Sequence, residues 1–163
     1  MSYQSALHTL QWSTHLDLEN GVIYEDCLNF EPSKELEQRI LTDWENFQAQ
    51  AIELGFDPEK HRATQIDISH GDYWDYAAHD FILTRNGHGA GFWDGGWHEP
   101  MATKLTELCK KFGEINIYLS DENLLEAYEP TGEELEQMRL DLESQDYYET
   151  APTPAQRNTL HRN

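Results

Sequence analysis

The segment from His79 to His98, His-Asp-Phe-Ile-Leu-Thr-Arg-Asn-Gly-His-Gly-Ala-Gly-Phe-Trp-Asp-Gly-Gly-Trp-His, constrains the fold more than any other. Gly87, Gly89, Gly91, Gly95 and Gly96 are half of the chain's glycines, Gly71 lies just before them, and Phe92, Trp93 and Trp97 sit among them. An Asn-Gly pair between two apolar runs is a strong hairpin signal, because both residues tolerate the left-handed conformations of a tight turn. The sequence therefore predicts a strand over 80–85, a turn at Asn86-Gly87 and a partner strand over 90–94.

Elsewhere the spacing of apolar residues favours helices. Residues 3–12 suit a short helix with Leu7 and Leu10 inward, and Asn20-Gly21 marks a turn. Ser33 is a natural N-cap with Glu35 in the first turn, where the helix dipole favours an acid. Leu36, Ile40, Trp44, Phe47, Ala51 and Leu54 then recur at steps of three and four, widened by Leu41 and Ile52, and Gly55 supplies the stop. Glu37, Arg39, Asp43, Glu45 and Gln50 fall opposite this stripe. Asp57-Pro58-Glu59 starts a further helix or turn, the 64–69 run alternates like a short strand, and 73–80 is compatible with a helix. Met101, Leu105, Leu108 and Phe112 mark another helix, with Lys110 and Lys111 in its last turn and Gly113 closing it. Ile115, Ile117 and Leu119 alternate as a half-buried strand, and a turn at 120–123 leads to a partner strand at 124–128. The expected fold is α+β: a small antiparallel sheet built from hairpins, with helices packed on one face.

Past Pro130 the pattern changes. Thr131 to Glu134 fits a capping box, and Leu135, Met138 and Leu142 leave only a narrow apolar stripe. The expected organisation is a compact domain over 1–129, an acidic helix over 130–149 and a disordered tail over 150–163.

Charge is the most unusual bulk property. Thirty-one acids against eleven bases give a net charge of −20, spread along the whole chain. Such a surface repels nucleic acid and anionic membranes and attracts basic proteins. The first residues carry neither a basic region nor an apolar core, so no signal peptide is expected. No apolar run approaches the length needed to span a bilayer. Cys27 and Cys109 share no metal-ligand spacing with histidine and are expected to be buried, reduced thiols.

The glycine block fits no standard nucleotide motif. No Lys-Ser or Lys-Thr follows the glycines, as a phosphate loop requires, and their spacing is wrong for a dinucleotide fingerprint. Its amides could still form an anion-binding nest beside Arg85. His70, His79, His88 and His98 gather around it with Asp72, Asp80, Asp94 and Glu99, a donor set suited to a divalent ion. His79-Asp80 resembles the dipeptide of metal-dependent phosphohydrolases, but that dipeptide lies on a helix, whereas a strand is predicted here. His88 and Asp94 are a conceivable general base pair, with no nucleophile evident beside them. The simpler expectation is no catalytic residue, no metal and no cofactor. His79, Asp80, Arg85, Asn86, Gly87, His88, Gly89, Gly91, Trp93 and Asp94 then act as a structural motif. Base stacking on the block's aromatics is disfavoured, since single-strand binders need a positive groove.

The residues from His79 to Asp94 resemble the signature block of a group of small, largely uncharacterised bacteriophage proteins. In those proteins a helix and a short strand with an acidic turn follow. Here 105–113, Tyr118 and Asp121-Glu122 occupy the matching places, with Gly95-Gly96-Trp97 standing where a basic residue is expected. The resemblance covers 79–94 closely and 27–122 loosely. It implies a phage accessory protein in the cytoplasm of a bacterial host.

Together these readings predict an acidic, DNA-mimicking inhibitor of a host DNA-handling or defence protein. The partner-binding residues expected are Glu133, Glu134, Glu136, Asp141 and Glu143, then Glu37, Asp43 and Glu45. Glu134 and Asp141, like Glu136 and Glu143, stand seven residues apart, about 10.5 Å along a helix. Duplex DNA carries one charge per roughly 1.7 Å of axis, so such rows imitate part of its spacing. The alternatives are a small metal-dependent hydrolase around His79 to Asp94 and an assembly protein that dimerises through exposed aromatics. Direct binding to nucleic acid or membrane is not expected.

Overall fold

The computed structural model describes residues 2–18, 20–63, 71–129, 132–134, 136, 137 and 140. The chain divides into one unit over Met1–Tyr128 and a second over Glu129–Asn163. The first unit is α+β. Its order is α1 (Ser2–Ser13), β1 (Leu16–Asp17), β2 (Ile23–Tyr24), β3 (Glu31–Pro32), α2 (Lys34–Glu53), α3 (Pro58–His61), α4 (Tyr73–Arg85), α5 (Met101–Lys110), β4 (Ile117–Leu119) and β5 (Leu124–Ala127). The strand predicted over 64–69 lies outside the described residues.

Helix α2 forms as its spacing predicts. Ser33 Oγ accepts from the amide of Leu36 (3.1 Å), and Gly55 closes the helix at φ +87°. Leu36, Ile40, Trp44, Phe47 and Ala51 are buried, while Ile52 and Leu54 at the helix end are exposed. The Asp57 side chain caps α3, with Pro58 at its first position. Helix α5 buries Met101, Leu105, Leu108 and Cys109, and Gly113 stops it at φ +65°.

Beside the two-residue β1–β2 ladder, one three-stranded sheet has the order β3-β5-β4. The β4–β5 hairpin is antiparallel, as alternation predicts, but β3 pairs with β5 in parallel, which local patterning does not reveal. The amide of Ser33, donating to the carbonyl of Leu125 (2.8 Å), carries this pairing into the cap of α2. Ile117 and Leu125 are buried, and Tyr118 on the other face of β4 is exposed.

One expectation is overturned: 80–85 and 90–94 do not form a hairpin. Residues 73–85 are a single helix started by a capping box, in which Asp72 accepts from the amides of Trp74 and Asp75 while Asp75 accepts from the amide of Asp72. Ala77, Ala78, Phe81, Ile82 and Leu83 are buried around the helix. A helix buried on most sides shows no amphipathic period, so its apolar run is indistinguishable from that of a buried strand. Asn86-Gly87 ends the helix: Asn86 is the C-cap and Gly87 takes φ +66°. A left-handed residue serves a helix stop as well as it serves a hairpin.

The core is an aromatic network joining the helices. Phe47 lies 4.6 Å from Phe81 and 5.6 Å from Phe92 between ring centres. Phe92 continues to Trp97, and Phe56 meets both Trp74 and Trp97 edge-on. Such pairs add about 0.5–1.5 kcal/mol each beyond the area they bury.

Cys27 and Cys109 are free and buried. Burial, then the charge of Asp26, pushes the Cys27 thiol up to about 11, and burial pushes Cys109 up as well. At pH 8 roughly one Cys27 in a thousand is a thiolate, so native labelling by a thiol reagent is expected to be slow and labelling in urea fast. Folding holds the Cys27 proton that the unfolded chain releases near its ordinary value of 9.0. The Cys27 contribution to stability is therefore expected to be fully present below pH 9 and to be lost as pH rises toward about 11, read as a fall in the urea midpoint over that range.

Candidate functional site

The end of α4 and the glycine loop after it form one structural device. Arg85 is buried, and its donors are engaged: Nε to the carbonyl of Gly113 (2.8 Å), Nη2 to that of Phe112 (3.0 Å) and Nη1 to Asp43 Oδ2 (2.9 Å). Arg39 Nε reaches the same oxygen of Asp43 (3.1 Å). Burial pulls Arg85 below its ordinary value, opposed by the carboxylate of Asp43. Arginine stays charged under all ordinary conditions. Next along the chain, the Asn86 amide donates to the carbonyl of Ile115 (3.1 Å) and accepts from its N–H (3.0 Å). These two side chains therefore fix α4 against the segment that leads from α5 into β4.

The loop supplies its own anion. Asp94 Oδ2 accepts from the amide of Gly91 and Oδ1 from that of Gly96 (both 3.3 Å). With these amides engaged and Arg85 turned inward, the alternative of an anion-binding nest beside Arg85 is not assembled. Gly91, at φ +149°, lies so close to α4 that a Cβ there would meet Thr84 Oγ1 at 2.3 Å. Thr84 Oγ1 accepts from the amide of Phe92 (2.9 Å), seating that ring in the core. Trp97 pairs with Arg62 as an isolated bridge, which ties the loop to the end of α3. Gly89 has open space around it, and Trp93 is exposed.

His79 and Asp80 lie on α4, where they form an oriented pair. Buried Asp80 accepts from Trp97 Nε1 through Oδ2, while its Oδ1 lies 2.9 Å from His79 Nδ1. Both oxygens of this carboxylate thus have side-chain partners. His79 stacks against Trp12 of α1 (5.8 Å, 25°) and lies against Tyr76 (5.7 Å, 38°). The helix removes one objection to a metal-binding His-Asp pair. Still, among the described residues no three His, Cys, Asp or Glu side chains converge as a metal requires. Nor are His88 and Asp94 placed as a catalytic pair. Asp94 serves the loop, whereas His88 lines a separate cleft of about 270 Å³ with Ser13, His15 and Glu114.

The predicted partner-binding acids separate into three sets. Glu37 and Glu45 are exposed on α2. Asp43 is not on that outer face: it is the counter-ion of Arg85, with its side chain 15% exposed. It lies seven residues after Leu36 and four before Phe47, at the edge of the buried stripe, and that spacing was the available signal. Glu133, Glu134 and Glu136 of the second unit are helical and exposed. Asp141 and Glu143, like Thr131 of the capping box and the tail, lie outside the described residues. Among the described residues no helix is long and apolar enough to cross a membrane.

Arg85→Met is expected to cost about 2 kcal/mol or more in urea denaturation, because it leaves the carbonyls of Phe112 and Gly113 without their donor and Asp43 with Arg39 alone. Glu45→Gln should stay within about 0.5 kcal/mol. Gly91→Ala is expected to cost about 1–3 kcal/mol, through the contact with Thr84 and the strained φ. No family model, curated protein or solved structure matches the chain.

Proposed function

We propose that this chain is a phage accessory protein that acts in the host cytoplasm, where it occupies the basic surface of a DNA-handling or defence protein and blocks it. The observation that carries the reading is the net charge of −20, joined to the exposure of Glu37, Glu45, Glu133, Glu134 and Glu136. Several of the few cations are engaged within the fold, in the pairs Arg39–Asp43, Arg85–Asp43, Lys60–Asp57 and Lys110–Glu107. The surplus negative charge therefore acts outward. A field of this sign steers a basic partner inward and raises association rates by about 10–1,000-fold at low salt. A groove shaped for phosphates offers the complementary charge, so carboxylates compete with DNA for it.

The test is retention of host proteins on the immobilised full chain at about 50 mM and about 300 mM salt, where the screening length falls from roughly 14 to 6 Å. A DNA-binding protein should be retained at low salt and released by high salt or by competing duplex DNA. Joint Glu133→Lys, Glu134→Lys and Glu136→Lys substitution should weaken its retention at least tenfold. Retention of no basic protein would overturn the reading.

A further inference from the structure

We propose that the aromatic surface formed by Trp12 and Tyr76 around His79, with the carboxylate of Asp94 nearby, seats an arginine side chain of the basic partner. The inference rests on the functional reading above and locates its specific contact.

Helices α1 and α4 pack side by side and are tied by Ser5 Oγ donating to Asp75 Oδ1 (2.9 Å). This packing brings Trp12 over His79 and leaves Trp12 40% and Tyr76 41% exposed. By contrast, Phe81 of α4 and Phe92 and Trp97 of the glycine loop are buried in the core. Rings held on two helices lose little freedom when a partner covers them, which favours their use as contact residues.

The chemistry around the rings selects the occupant. Asp80 Oδ1 lies 2.9 Å from Nδ1 of His79, the ring that both aromatics touch, and burial, then the charges of Asp80 and Asp94, raises the Tyr76 hydroxyl above its ordinary value. Asp94 is exposed, yet held in place by the amides of Gly91 and Gly96. An apolar partner would cover that carboxylate without pairing it, at a cost in desolvation. A nucleic-acid base would stack but would bring phosphate against the acids. A lysine ammonium supplies the charge but is compact and strongly hydrated. A guanidinium is planar and weakly hydrated, stacks on aromatic faces and offers a fork of donors to a carboxylate. Only arginine uses both the rings and the acid.

The experiment compares binding of nona-arginine and nona-lysine to the full chain at one fixed salt concentration. The peptides carry equal charge, so long-range attraction is the same for both. The arginine peptide should bind about fivefold more tightly, the equivalent of one exposed cation–π contact. Trp12→Ala and Tyr76→Ser should each shrink that preference while leaving the lysine peptide's affinity unchanged. Tyr76→Ser alters an exposed ring and decides the matter even where Trp12→Ala fails to fold. Equal affinities in the wild type, or a preference that survives in every folded variant, would overturn the proposal. Joint Glu37→Lys and Glu45→Lys substitution addresses the underlying reading separately, since it should weaken both peptides alike. An arginine preference that persists while this charge reversal leaves both affinities unchanged would retain the aromatic site and overturn charge-driven binding. Failure of both peptides to bind at low salt would overturn both.

Discussion

A buried guanidinium holds the main unit together. Arg85 ends α4 with its side chain fully enclosed, and one head group joins three elements through Asp43 of α2 and the carbonyls of Phe112 and Gly113 beyond α5. Those carbonyls lie just past a helix C-terminus, where the negative pole of the dipole favours a cation. Phe81 and Phe112 flank the guanidinium at 5.2 and 6.0 Å. A buried charge is tolerable only when its partners are complete, so the positions of α2, α4 and α5 follow from that requirement.

The glycine loop depends on the same fixed helix. Because α4 is held in place, Thr84 can seat Phe92, Gly91 can approach the helix closely, and Asp80 can receive the Trp97 indole. The histidine and acids of the block thereby become fastenings, with Asp94 closing the loop on itself. What remains outward is different in kind: half-exposed aromatic rings where α1 meets α4, and carboxylates far in excess of cations. Under the proposed function, charge would bring a basic partner in over distance and contact chemistry would discriminate once it has arrived.

Helices with one buried face were legible from spacing alone. The stripe from Leu36 to Ala51, the caps at Ser33 and Gly55, and the run from Met101 to Gly113 needed no tertiary information. The same rules misread α4, because most of its sides are covered and its period disappears. Asn86-Gly87 then suited two structures, and the capping box at Asp72 was the local signal that favours the helix. Asp43 was misassigned to the solvent face for a related reason, since a charged residue at the edge of a stripe is drawn inward only when a partner such as Arg85 awaits it.

By itself the sequence determined the α+β class, the apolar faces of α2 and α5, the β4–β5 hairpin and the large negative charge. Each is a local or additive property: periodicity, end-capping, alternation over a few residues, or a sum over side chains. Only the tertiary structure decided that β3 runs parallel to β5, that Asp43 and Arg85 form an ion pair 42 residues apart, and that Trp12 stacks on His79. Those contacts join distant parts of the chain, and their stability comes from burial and mutual pairing that no short window of sequence contains.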